Sequence, residues 1–245
     1  MDNLIALVTG ANKGIGREIA RQLAAAGHTV YVGSRDAGRG EEAVAGIGGG
    51  ARLLVLDVTN GNSVAAAAGQ VPALDILVNN AGISPTEARP VTEEDPGEFR
   101  RVYETNVFGV VAVTNAFLPV LRRSAHPRIV NLSSGTASLA ASAGQSQGTI
   151  SFASRPSGAL GAYRSSKTAL NELTVLYANE LAGDGFKVNA LAPGLRRTEL
   201  NGSARTAAAA GDPAEGAAGA VRLALLPDDG PSGGFFSWDG SAVPW

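Results

Sequence analysis

The chain has 245 residues, 44% of them hydrophobic and 17% charged, with a formal net charge of −2. That length can bury one large core, and a near-neutral chain with no basic stripe or charge block offers no footprint for nucleic acid and no disordered tail. The absence of cysteine removes disulfides and thiolate chemistry, and two histidines as far apart as His28 and His126 make no zinc site, so no metal is expected.

The first element is an apolar run at residues 4–8, suited to a buried parallel strand. It breaks at Thr9-Gly10, and a helical pattern starts near Gly14, with Ile15, Ile19, Ala20 and Leu23 on one side. Strand, glycine loop and helix in this order let a pyrophosphate reach backbone N–H groups at a helix N-terminus. Gly10 suits the turn, Gly14 a close approach of phosphate, and Gly16 close packing of helix on strand. The spacing G-x-x-x-G-x-G differs from the general dinucleotide fingerprint.

Further apolar runs follow at residues 29–33, 52–56, 74–78, 128–132 and 187–191, with a short last one at 233–237. Between them, helical spacing or Ala-rich composition marks 14–26, 39–46, 62–70, 94–121 and 163–181. Strands alternating with helices predict right-handed crossovers and an α/β fold, a single-domain doubly wound parallel sheet of about seven strands with helices on both faces. The whole of 1–245 reads as this one Rossmann-type domain. Residues 142–161 are irregular, and 202–218 read as a loop followed by a helix. The N-terminus shows no signal-peptide pattern. The most apolar stretch, 108–121, contains Thr114, Asn115 and Pro119 and is too short and polar to span a bilayer. A soluble, cytoplasmic protein without a membrane partner is the expectation.

Tyr163 and Lys167 lie four apart in a helical segment and so share a face. A free tyrosine titrates near about 10. A neighbouring cation favours the phenolate, lowers that pKa and makes the phenol a better proton donor.

These motifs together resemble the short-chain dehydrogenase/reductase family, in order from residue 4 to 198. Thr9-Gly10-x-x-x-Gly14-x-Gly16 is similar to its cofactor loop, Asp57-Val58 to its adenine contact, and Asn79-Asn80-Ala81-Gly82 to the motif after its fourth strand. Asn106 resembles its helix asparagine, Ser133-Ser134 the end of its serine-bearing strand, and Tyr163-x-x-x-Lys167 its catalytic pair. Pro193-Gly194 with Thr198 resembles the loop beside its nicotinamide. The resemblance implies cofactor contacts from Gly10, Asn12, Lys13, Gly14, Ile15, Gly16, Ser34, Arg35, Asp57, Val58, Asn79, Ala81, Gly82, Tyr163, Lys167, Pro193, Gly194 and Thr198. It also implies a catalytic set of Asn106, Ser134, Tyr163 and Lys167. Tyr163 donates a proton to the substrate carbonyl oxygen and Ser134 hydrogen-bonds that oxygen. Lys167 tunes Tyr163 and holds the ribose, and Asn106 holds a water for reprotonation. Ser134 is chosen over Ser133 because successive strand residues face opposite sides and the family uses the second.

The second strand ends Gly33-Ser34-Arg35-Asp36. An NAD site places Asp or Glu at this strand end to hold the ribose 2′-OH. Ser34 has no charge to repel a 2′-phosphate, while Arg35 and Lys13 supply cations suited to one, so NADP (NADPH) is expected. The alternative gives the acidic role to Asp36.

Ser134 and Tyr163 are 29 positions apart, more than in most of the family. The extra residues fall at about 139–161. The carbonyl reductase-like members and related plant reductases acting on menthone-like and alkaloid ketones also carry an insertion here. Anchored by Leu139, Ile150, Phe152 and Leu160, it would fold back across the helix face that others use to associate, which favours a monomer over a homo-oligomer. A substrate loop is expected at about 195–215. Ile83, Ser84, Leu139, Phe152, Leu195 and Leu200 are the expected pocket, mostly apolar, which suits a small hydrophobic carbonyl partner. The implied reaction is reversible NADPH-dependent reduction of a ketone or aldehyde. Imine or enone reduction on the same scaffold, and a non-catalytic NADP-binding regulatory role, are the alternatives.

Overall fold

The computed structural model describes residues 3–145, 160–200, 208 and 210–245. Short β-branched and leucine-rich runs form seven parallel strands: β1 (Ile5–Val8), β2 (Thr29–Ser34), β3 (Ala51–Val55), β4 (Ile76–Asn79), β5 (Arg128–Leu132), β6 (Lys187–Ala192) and β7 (Phe235–Ser237). Their order across the sheet is β3-β2-β1-β4-β5-β6-β7. The order reverses between β1 and β4, and the crevice for a ligand in such a sheet opens at that point, outside the carboxyl ends of the strands.

The helices are α1 (Gly14–Ala25), α2 (Ala37–Ile47), α3 (Gly61–Gln70), α4 (Pro96–Tyr103), α5 (Gly109–Leu121), the short α6 (Leu139–Ser142), α7 (Gly161–Glu180) and α8 (Pro213–Ala224). The period of two along each strand divides the core into two layers. Ala6, Val8, Val30, Ile76, Val78 and Val130 face α1, α2 and α8, where Ile19, Leu23, Ala43 and Ala217 meet them. Leu7, Leu77, Ile129 and Val188 face the other way, toward Val64 of α3, Phe117 of α5 and Ala178 of α7.

The single helix expected at 94–121 spans Pro96–Leu121 and contains a π-helical turn at Glu104–Phe108, between α4 and α5. Such turns bulge a helix outward and recur at functional sites; this one carries buried Asn106. The turn leaves the rod continuous, so Pro96–Leu121 is longer than the apolar stretch read from sequence and reaches the length and apolarity needed to cross a bilayer. Half of its most apolar stretch is packed inside the protein.

The expected fold-back segment lies mostly outside the described residues, and Ile150 and Phe152 with it. Leu139 does not act as the buried anchor expected of it, because it starts α6 on the solvent side and is 64% exposed. Leu160 is half-buried and its N–H donates to Arg89 O at 3.2 Å. Phe108, the last residue of the π turn, and Leu176 on α7 stand 56% and 52% exposed.

Phe117 is fully buried under the sheet. Phe117→Ala removes that ring and leaves a cavity, so unfolding in denaturant should show a loss of about 3–5 kcal/mol.

Candidate active site

The crevice between β1 and β4 is held by a clasp of two side chains. Thr9 Oγ1 accepts the N–H of Asn80 at 3.0 Å and of Ala81 at 2.9 Å. Asn80 answers with Nδ2, which donates to Thr9 O at 2.8 Å and Gly10 O at 3.1 Å. The start of the loop after β1 is therefore tied to the end of β4. Gly10 takes φ 61° and Gly14 φ 56°, the left-handed region open to glycine at little cost. A Cβ on Gly16 would stand 2.3 Å from Asn80 Nδ2 and 2.7 Å from Gly10 O. Gly16 is thus required by the close packing of α1 on the strand ends, at the point where the clasp lies. No side chain caps α1 and its first turn contains no acid, so its leading N–H groups face the crevice with a positive dipole end.

Three more strand ends deliver the chemical groups. Ser133 and Ser134 follow directly on β5 and take opposite directions, continuing the strand period. Ser133 is buried and donates to Asn171 Oδ1 at 2.6 Å. Ser134 faces out, its hydroxyl 2.8 Å from Thr136 Oγ1 and hydrogen-bonded to the Tyr163 phenol. Tyr163 and Lys167 share a face of α7, with Lys167 Nζ 5.9 Å from the tyrosine ring centre.

The electrostatics differ from the sequence expectation. Burial pushes the Tyr163 phenol above its ordinary range, and the Ser134 hydrogen bond pulls it partly back. The Lys167 ammonium donates to Leu132 O at 2.7 Å instead of reaching the phenol. Lys167 is itself buried, and desolvation lowers its pKa to about 8. The lowering of Tyr163 read from the four-residue spacing is therefore not met, because the spacing carried no information on how deeply the pair is buried.

Asn106 is fully occupied on its donor side. Its amide nitrogen donates to Ile83 O at 2.9 Å and Ser166 Oγ at 3.0 Å, while Oδ1 accepts from Ile83 N at 2.8 Å. The side chain thus ties the π turn to residue 83 and to α7. A Cβ on Gly82 would stand 3.3 Å from Asn106 Oδ1 and 3.4 Å from Lys167 Nζ. The missing side chain at Gly82 keeps the space between those two groups clear.

Other expected cofactor contacts divide. A Cβ on Gly10 would stand 3.0 Å from Ala81 Cα, and one on Gly14 would stand 3.5 Å from Thr198 Cγ2. Gly10 therefore neighbours Ala81 and Gly14 neighbours Thr198, while Pro193-Gly194 leave β6 with Gly194 at φ 76° and next to Arg196 and Trp238. Asn12 and Lys13 line a cleft of about 420 Å³ with Arg17, Arg39, Glu42 and Glu199. Ile15 is half-buried against the core of the α1 face. Asp57 is half-buried beyond β3, its carboxylate accepting Thr59 N–H at 3.0 Å, while Val58 packs toward Gly109.

Three side chains are not placed as expected. Asn79 turns into the core and donates to Asn131 Oδ1 at 2.9 Å and Thr114 Oγ1 at 3.1 Å; the crevice goes to Asn80, the next residue of the strand end. Ser34 is buried and donates to Asp36 O at 2.7 Å, so its hydroxyl faces inward and Arg35 faces solvent. Lys13 is paired with Glu199. Among the expected pocket residues, Ile83 and Ser84 are half-buried, Leu195 and Leu200 are exposed, and Phe152 lies outside the described residues. Sequence reading missed the work of Thr9, Asn80, Ser166 and Arg17. The first two stood inside quoted motifs, yet their bonding partners are some seventy positions away.

The family profile described as short chain dehydrogenase matches residues 4–209. The chain is 34% identical to salutaridine reductase of Papaver bracteatum, covering 94% of this chain and 93% of that protein. It is 35% identical to (-)-isopiperitenone reductase of Mentha piperita, covering 96% of each. The crystal structure of NADPH-bound carbonyl reductase from chicken fatty liver superposes with a TM-score of 0.81 at 27% identity over the whole of both chains.

The Lys167 pKa sets a sign for pH-dependent stability. Between about 8 and 10.5 the unfolded chain holds a proton at Lys167 that the folded chain has released. Stability from this group therefore rises with pH across that window, and the cost of burying its charge is fully present below about 8. Denaturation midpoints measured across the window should rise less in Lys167→Met than in the unmodified protein. An equal rise in both would remove Lys167 as the source.

Proposed function

The chain belongs to the short-chain dehydrogenase/reductase family, oxidoreductases that work with a nicotinamide cofactor, and on that premise we propose that it reduces a carbonyl, a ketone or aldehyde, to an alcohol with NADPH. The observation that carries this reading is the contact of Tyr163 with Ser134 at the carboxyl edge of the sheet, with Lys167 one helical turn away.

The residues present fit a dinucleotide. The uncapped first turn of α1 suits a pyrophosphate, and the crevice around Gly10, Gly14 and Gly82 is kept clear by the lack of Cβ atoms. When bound, the nicotinamide supplies hydride to the carbonyl carbon. Everything else falls to the chain. Ser134 hydrogen-bonds the carbonyl oxygen as charge builds on it, and Tyr163 delivers the proton that neutralises it. Burial keeps the phenol protonated at neutral pH but makes it a weaker acid, and the Ser134 hydrogen bond, which pulls its pKa back, works in favour of donation. Lys167 stabilises the phenolate left behind, and its own low pKa allows it to take part in returning a proton. The clear space between Lys167 Nζ and Asn106 Oδ1 suits a water that carries this proton. Apolar and partly exposed Ile83, Leu195 and Leu200 suit a hydrophobic substrate.

The choice of NADPH rests on charge. Asp36, the acid that could have held a ribose 2′-OH, accepts from Arg39 N at 2.9 Å and caps α2. Arg35 beside it, with Lys13, Arg17 and Arg39 around the neighbouring cleft, suits a 2′-phosphate. Lys13 would exchange Glu199 for that phosphate. A non-catalytic role does not explain why Ser134, Tyr163 and Lys167 are brought together at the carboxyl edge of the sheet.

Tyr163→Phe should lower turnover by about a hundredfold or more while NADPH still binds. Assays with aromatic ketones, keto esters, enones and imines name the substrate class, and activity confined to enones or imines would overturn the carbonyl assignment. Arg35→Ala should weaken NADPH about tenfold and leave NADH within about twofold. Equal kinetics with both coenzymes in the unmodified protein would overturn the NADPH reading.

A further inference from the structure

The helix that carries Tyr163 and Lys167 begins without a cap of its own. The residue in front of α7, Leu160, has no side-chain oxygen to offer and lies in the left-handed region at φ 62°. It is the one residue other than glycine with such a φ among those described. A helix ordinarily satisfies its second or third N–H from the side chain just ahead of it. Here the oxygen comes from another element. Glu94, in the connection that leads into α4, accepts the N–H of Ala162 through Oε2 at 2.9 Å.

The fit around this contact is close. A Cβ on Gly161 would stand 2.7 Å from Glu94 Oε2 and 2.7 Å from Val91 Cγ2. The same connection also holds the residue before the helix, where Leu160 N–H meets Arg89 O. The first turn of α7 contains no acid, so the negative charge that complements its dipole also comes from Glu94. Glu94 Oε1 is buried without a hydrogen-bond partner among the described residues. An unsatisfied carboxylate oxygen opposes folding, so packing alone does not account for an acid here.

We propose that Glu94 is a positioning residue for the reaction: by capping Ala162 from outside the helix it fixes the first turn of α7 and so the direction in which Tyr163, the next residue, presents its hydroxyl. The inference rests on the assignment of Tyr163 as proton donor. Tyr163 and Lys167 then depend on different anchors. Lys167 is held from β5 through Leu132 O, one turn further along, where helix ends no longer fray. Tyr163 lies in the terminal turn and depends on the connection 89–94. Loss of the cap would therefore loosen proton delivery and leave cofactor binding in place.

Glu94→Ala and Glu94→Gln test this, because glutamine keeps an acceptor oxygen and alanine does not. Amide hydrogen exchange at the start of α7 should speed up in Glu94→Ala and stay near the unmodified rate in Glu94→Gln. Turnover of Glu94→Ala should fall about tenfold while its NADPH dissociation constant changes less than about twofold, and Glu94→Gln should keep most of its turnover. The deuterium isotope effect with labelled NADPH should be larger in Glu94→Ala, since a misdirected proton donor slows the chemical step. A smaller folded fraction would leave it unchanged and would lower NADPH sites and turnover together. Normal turnover in Glu94→Ala, unchanged exchange there, or equal damage in both variants would overturn the proposal. If Glu94→Ala does not fold, Gly161→Ala crowds the same oxygen from the helix side and must show the same pattern. Tyr163→Phe separates the two readings. If it is inactive while Glu94→Ala is normal, only the positioning role fails; if both are normal, the proton-donor assignment fails.

Discussion

The structure depends on the hydrogen-bonded clasp across the point where the strand order reverses. β1 and β4 lie side by side, but the helices that follow them leave for opposite faces of the sheet. A crevice results at their carboxyl ends. Thr9 and Asn80 close its base with four hydrogen bonds, each made to a backbone group of the opposing strand end. Bonds to backbone fix the chain path itself, so the clasp sets where the glycine loop runs and where residues 81–83 begin. Gly16 has to be glycine because the Asn80 amide already occupies the space of its Cβ. The position of Gly82 between Asn106 and Lys167 follows in turn.

From that base the site is carried by buried polar groups instead of apolar ones. Asn79, Asn131, Thr114 and Thr174 hydrogen-bond one another beneath the sheet edge, and Thr174 donates back to Leu170 O. Ser133 and Asn171 make a second link between β5 and α7. Each polar group is desolvated and gains stability only when its partner is in place, which makes the arrangement intolerant of small displacements. This intolerance serves a site whose groups must meet within hydrogen-bond distance. Lys167 shows the accompanying cost: its charge is held among buried groups, and its pKa falls as a result.

The two ends of the crevice are built differently. At the outer end, Lys13, Glu199, Arg17 and Arg39 lie around an open cleft, where ion pairs are weak and exchangeable. At the inner end, Asn106, Tyr163 and Lys167 are fixed by short contacts to the π turn, β5 and the start of α7. Exchangeable charges suit the capture and release of a phosphorylated ligand, whereas rigid contacts suit proton transfer.

Local pattern was enough for the architecture. Seven apolar runs, their alternation with helices and the glycine loop led to the parallel sheet, because strand and helix periods are properties of short stretches of chain. The choice of Ser134 over Ser133 was equally legible, since a strand period of two turns one inward and one outward. The same period worked against Ser34, whose burial depended on where the strand ended relative to α2. Asn79 and Asn80 could not be told apart from the motif alone, because their partners Thr114, Asn131 and Thr9 come from other strands and helices. The pKa of Tyr163 was read in the wrong direction for a related reason: spacing placed a cation four residues away, but desolvation is set by everything packed around both groups. The sequence by itself determined which residue types stand at the carboxyl edge of each strand. Only the tertiary structure decided which way each side chain turns, how deeply it is buried and which distant group it bonds, because those follow from contacts between segments that no local period encodes.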